Sequence, residues 1–152
     1  MKAKAWLWLI ACAGCSVADR DYTGATIELQ LTNNDFDSVD DTTSEPVFTL
    51  GESDVQYSIV VEVFTQQGEF ETKATVDSSK ITSIATSFAL AGMELPEPSY
   101  DYDDAFLDPR YTSTEPIVIP ASARGSALVV HATGRDNNGL ASNVVDMTVA
   151  LQ

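Results

Sequence analysis

A strict two-residue alternation of apolar and polar side chains is the strongest constraint on how this chain can fold. Ala25, Ile27, Leu29 and Leu31 share one face of an extended segment, and Thr26, Glu28, Gln30 and Thr32 share the other. The period returns between Val55 and Thr65, where Val55, Tyr57, Ile59, Val61 and Val63 fall together and Val60 and Phe64 add apolar area to the opposite face. It returns again in Leu128, Val130 and Ala132, and in Val145, Met147, Val149 and Leu151. Side chains two residues apart share a face only in a β-strand, so each segment predicts a strand with one buried face. The segment from Val55 is apolar on both faces, which predicts a central position.

Between these segments the signals are weaker. Val47 to Leu50 and Ile117 to Ile119 predict short strands, the second bracketed by Pro116 and Pro120. Gln66-Gln67-Gly68 predicts a hairpin turn onto a return strand that carries Phe70, Thr72, Ala74 and Val76. In residues 79–93, Ile81, Ile84, Ala85 and Phe88 fit helical spacing, while Ile84, Phe88 and Leu90 also fit a strand; frequent β-branched residues favour a strand or an irregular edge. Residues 33–46 and 94–115 are rich in Asp, Asn, Ser and Pro and read as loops. Arg135-Asp-Asn-Asn-Gly139 predicts a tight type I′ turn between the last two strands. Seven or eight short strands with no convincing long helix predict an all-β fold, an antiparallel β-sandwich.

Charge narrows the partners. Lys2 and Lys4 precede the first acid; the rest of the chain holds six Lys and Arg against 23 Asp and Glu, a formal charge of −17. Such a surface repels phosphate backbones and anionic lipid, so no nucleic-acid partner is expected. Solubility, salt adaptation, or attraction of cations and basic proteins remain.

The start of the chain has the order of an export signal. Lys2 and Lys4 give a positive first segment, and an apolar run from Ala5 to Ala13 follows. That run is well short of the ~20 apolar residues that span a bilayer. Its end, Ala13-Gly14-Cys15-Ser16, resembles the lipobox of bacterial lipoproteins; Leu9-Ile10-Ala11-Cys12 is the alternative match. The resemblance covers residues 1–16. It implies cleavage before Cys15 (alternatively Cys12), lipid on that cysteine, and anchoring of the chain to a membrane. Ser16, where the enterobacterial retention signal has Asp, implies the outer membrane. Cys12 and Cys15 are the only cysteines, so the exported domain holds neither disulfide nor thiolate nucleophile. The expected organisation is a signal peptide at 1–14, a lipidated tether at 15–24 and a β-sandwich at 25–152.

Residues 115 to 151 carry a second resemblance. A strand ending His131-Ala-Thr-Gly-Arg-Asp-Asn-Asn-Gly139 turns into a final alternating strand, as in bacterial immunoglobulin-like domains. That similarity implies an immunoglobulin-like sandwich. It implies no activity, since such domains serve as spacers, adhesins, sugar binders and assembly parts.

Four groups are candidate sites. Asp35, Asp37, Asp40, Asp41 and Glu45 cluster in the first loop, where alternating acids can hold calcium. Glu94, Glu97, Asp101, Asp103, Asp104 and Asp108 accompany Tyr100, Tyr102, Phe106 and Tyr111 in the second. Aromatics beside acids can stack on sugar rings, dock a basic protein face, or pack the loop onto its own domain. Asp136, Asn137 and Asn138 resemble the calcium-binding turn residues of cadherin-like domains, although a turn alone explains them. His131 is the sole histidine, and no Gly-x-Ser-x-Gly elbow accompanies it. The expectation is a non-enzymatic, lipid-anchored envelope protein acting as a structural or protein-interaction module, with an unidentified envelope protein partner. A calcium- or carbohydrate-binding adhesion module using the acidic loops is the alternative.

Overall fold

The computed structural model describes residues 22–71, 76–104 and 109–152. The signal segment, both candidate lipidation cysteines, Phe106 and Asp108 lie outside the described residues, as does the middle of the expected return strand after Gly68.

Among the described residues the strands are β1 (Tyr22–Thr23), β2 (Thr26–Thr32), β3 (Ser38–Asp40), β4 (Val47–Phe48), β5 (Gln56–Gln66), β6 (Gly68–Glu71) and β7 (Val76–Ser79). They continue with β8 (Ile81–Leu90), β9 (Met93–Leu95), β10 (Tyr100–Asp103), β11 (Arg110–Ser113), β12 (Ile117–Pro120), β13 (Ala127–Asp136) and β14 (Ala141–Leu151). One sheet runs β10-β11-β5-β2-β3, with β12 also paired to β5. A second runs β4-β14-β13-β8-β9, and β1-β6-β7 forms a small third. Every pairing is antiparallel except the short β4–β14 contact, which is parallel.

The fold is an all-β sandwich, and its core is the set of residues that the alternation marks. Ile27, Leu29 and Leu31 of β2 and Tyr57, Ile59, Val61 and Val63 of β5 are buried against Phe88, Leu128, Val130, Ala132, Val145, Met147, Val149 and Leu151 of the second sheet. Burying one such side chain contributes roughly 1.5–3 kcal/mol. Two side chains stitch the layers at opposite ends. Asn143 of β14 accepts from the Ile27 amide (2.8 Å) and donates to its carbonyl (2.9 Å), where β2 begins. The Tyr57 hydroxyl donates to the Gln152 carbonyl (2.7 Å) near where β2 ends. We call these the near end and the far end. Strand β2 begins at the near end, and its seven residues separate the two ends by about 20 Å.

Several sequence expectations are corrected. Residues 94–115 are not one long loop: β9, β10 and β11 occupy much of the stretch. Tyr100 and Tyr102 alternate there with Asp101 and Asp103, and the acids, which lie on the outer face of the sheet, hide this period-two pattern. The first loop likewise contains β3. Strand β6 does not fold back on β5. It pairs with β1 and β7, so Gln66-Gln67-Gly68 redirects the chain between sheets. Tyr22 and Thr23, assigned to the tether, pair with Phe70 and Glu69. Strand β8 is no edge; it lies between β13 and β9. Val55, expected on the core face, precedes β5 and is exposed.

The last turn is also different. Gly139 has φ +80° but Asn138 does not enter the left-handed region, so the turn is not type I′. Gly139 N donates to Asp136 O (3.0 Å) and Asp136 N to Leu140 O (2.9 Å), as in a type I turn closed by a glycine bulge. The two-residue type I′ hairpin lies instead at Ala91-Gly92, with φ of +49° and +82°.

Candidate interaction surface

The outer face of the first sheet gathers acids in rows. The register places Asp101, Thr112, Glu62, Gln30 and Asp40 side by side across five strands. The next row holds Asp103, Arg110, Phe64 and Glu28. Arg110 pairs with Glu62 at 3.4 Å and lies over the Phe64 ring at 5.5 Å.

The two acidic stretches do not converge. Asp40 and Asp101 stand on opposite edges of the sheet, four strand spacings or about 19 Å apart. Asp35 and Asp37 sit at the far end, and Asp104 leads away from β10 at the near end. Among the described residues no three His, Cys, Asp or Glu side chains are placed to hold a metal ion.

Two carboxylates of the first loop have structural tasks. Asp40 Oδ1 accepts from Thr42 N (3.0 Å), Thr42 Oγ1 (2.7 Å) and Thr43 Oγ1 (2.9 Å). These bonds favour the ionised form and hold the Asp40 carboxyl below its usual pKa. Asp41 extends the β2–β3 ladder, its Oδ1 accepting from Leu29 N (3.3 Å) while its own amide donates to Leu29 O (3.1 Å).

The aromatic stretch packs onto its own domain. Glu97 Oε1 accepts from Thr86 N (2.7 Å) and Thr86 Oγ1 (3.0 Å), and Thr86 Oγ1 shares a hydrogen bond with the Tyr100 hydroxyl (2.8 Å). Burial pushes Tyr100 up to about 12, with the Glu97 charge adding to the rise and the Thr86 bond opposing it. Tyr102 and Tyr111 lie with ring centroids 4.7 Å apart, and burial, followed by the proximity of Tyr102, raises Tyr111. Tyr100 is therefore not a free stacking platform, whereas Tyr102 is partly open to solvent.

His131 has a partner that the sequence did not reveal. Its Nδ1 lies 2.7 Å from Asp146 Oδ1, directly across the β13–β14 ladder, with Ser87 opposite on β8. The pair is exposed on the outer sheet face, flanked by Val129, Thr133, Val144 and Thr148. The register was readable: residues equidistant from the Asn138–Gly139 bond face each other. Asp136, by contrast, is buried and structural. Its Oδ1 accepts from Asn138 N and Leu140 N (both 2.8 Å), and its Oδ2 accepts from Ser79 Oγ (2.6 Å). Asn137 exchanges bonds with Lys80, its amide donating to Lys80 O and its Oδ1 accepting from Lys80 N (both 2.9 Å). These bonds explain the Asp-Asn-Asn run without a metal.

Compared with known proteins, the chain matches no family model and no curated protein.

Proposed function

We propose that this chain is a lipid-anchored envelope protein whose immunoglobulin-like sandwich is a non-catalytic protein-interaction module. The single observation that carries the reading is the order Lys2, Lys4, apolar run, Ala13-Gly14-Cys15 ahead of a domain without another cysteine. The strand order supports the family resemblance: β10-β11-β5-β2 opposite β14-β13-β8 corresponds to D-E-B-A opposite G-F-C, with β9 as C′. A non-catalytic role is supported by the acids and amides bonded into strand edges and turns, and by the position of the His131–Asp146 pair on an open face. Lipid on Cys15 holds the near end toward the membrane, and Ser16 points to the outer membrane. The partner is an envelope protein attracted by the acidic surface.

The test is incorporation of labelled fatty acid into the full chain in its bacterial host, with fractionation of the envelope. Label is expected in the membrane-bound protein, lost in Cys15→Ala and kept in Cys12→Ala. An unlabelled protein in the soluble fraction would overturn the reading.

A further inference from the structure

The most exposed large apolar side chain in the described domain is also one of its three non-glycine residues with positive φ. Phe36 is 87% exposed and has φ +64°. A bulky side chain in the left-handed region is disfavoured, and Gly or Asn would relieve the strain. Exposing a phenyl ring to water is unfavourable too. Folding stability explains neither property.

The loop nevertheless fixes the backbone that carries Phe36. Asn33, 5% exposed, accepts at Oδ1 from Asp35 N (3.0 Å) and Asp37 N (2.9 Å). Its amide donates to Asp37 O (2.9 Å), and Phe36 N donates to Asn33 O (3.1 Å). Beside it, Asn34 Oδ1 accepts from Ser58 N (3.1 Å), tying the loop to β5. Asp35 and Asp37, both exposed, flank the ring.

The loop stands at the far end, and other exposed apolar residues share that end. Val55 (76%) precedes β5, Val118 (53%) lies opposite Ser58, and Met93 (67%) closes the β8–β9 hairpin beside Leu90. We propose that Phe36 anchors a docking surface at the far end, and that its partner is a protein with an apolar pocket rimmed by Lys or Arg. A loop backbone held in place before binding loses little freedom on contact, and aromatic anchors seated in pockets dominate interface energetics. Asp35 and Asp37 select the basic rim, and the domain's negative field speeds the encounter. Only the orientation of this surface, away from the membrane, rests on the lipoprotein reading.

The test places p-benzoylphenylalanine at position 36 of the full chain in its own host, with the same photo-reactive residue at Thr148 as control. Irradiation is expected to give one protein adduct from position 36 and none from Thr148. Its cross-linked peptide should carry Lys or Arg beside apolar residues, and its yield should fall at least tenfold with Asp35→Lys and Asp37→Lys together. Unchanged thermal unfolding of that double variant excludes a folding defect. An adduct with lipid, with a second copy of the chain, or with nothing overturns the proposal; so does a yield indifferent to the two charge reversals. Fractionating the same cells separates the two readings. A soluble protein that still cross-links removes the anchor alone, and a membrane-bound protein that does not removes the docking surface alone.

Discussion

Asn143→Ala should destabilise the domain out of proportion to the exposure of Asn143. Strand β3 runs beside β2 from Thr32 to Gln30, and Asp41 extends the ladder to Leu29. Ile27 lies beyond that cover, and its amide and carbonyl are satisfied by Asn143, 116 residues away. Ile27 itself is 1% exposed. Truncation removes two hydrogen bonds and leaves one donor and one acceptor short of partners. Each bond contributes about 1 kcal/mol net, and each orphaned buried group costs about 1–3 kcal/mol. Water can reach the exposed side of the gap, so the expected loss is about 2–3 kcal/mol, against a total stability of about 5–15 kcal/mol for a small domain. Urea unfolding measures this as a fall in midpoint at constant slope. The melting temperature should drop by several degrees. Asn143→Asp restores the acceptor but turns a second oxygen toward Ile27 O, so at pH 7 it should recover little. A change below about 0.5 kcal/mol for Asn143→Ala, the level of an ordinary surface substitution, would refute the view that this side chain closes the sandwich.

Ala91→Asn should stabilise the domain by about 1 kcal/mol, because Ala91 holds φ +49° in a type I′ hairpin where Asn is preferred; denaturant midpoints measure it. His131→Ala should change stability by less than about 0.5 kcal/mol, as for other exposed pairs. Tyr100 ionises at about 12 in the fold and near 10 unfolded, so its contribution is present below pH 10 and lost as pH rises toward 12. Tyr100→Phe should remove that part of the alkaline fall, seen in melting scans between pH 9 and about 12. Millimolar calcium should raise the melting temperature no more than magnesium does at equal ionic strength, because Asp40 and Asp101 stand about 19 Å apart.

The faces of the strands were legible because alternation is local. Ile27, Leu29 and Leu31 declare their face with no knowledge of what covers it, and all are buried. Pairing was less legible because it depends on where the chain travels next. Gly68 looks like a hairpin turn, yet the strand after it joins β1 and β7. In β10 two tyrosines alternate with two aspartates, and nearby prolines at 96, 98 and 109 gave the stretch the composition of a loop. The anchor proposed at Phe36 was invisible for another reason. Neither a left-handed backbone at a phenylalanine nor its exposure leaves a mark in composition, whereas the acids around it do.

The same acids illustrate why a count of charges misleads about sites. At five places where a described strand of this sandwich loses its neighbour, a polar side chain replaces the missing ladder. Asp41 serves Leu29, Asn143 serves Ile27, Asn34 serves Ser58, Glu97 serves Thr86, and Ser113 Oγ accepts from Val61 N at 3.1 Å where β11 gives way to β12. An unpaired strand amide is both costly when buried and an invitation to edge-to-edge association when exposed, so filling it serves stability and solubility together. Prolines at 116 and 120 blunt β12 by the same logic, removing donors at both of its ends. A sequence rich in Asp, Asn and Glu therefore spends part of that richness on finishing its own sheets. What is left for a partner is the polar surface that finishes nothing. At the far end, Asp35 and Asp37 offer their amides to Asn33 and their carboxylates to solvent, on either side of a ring that the fold does not bury.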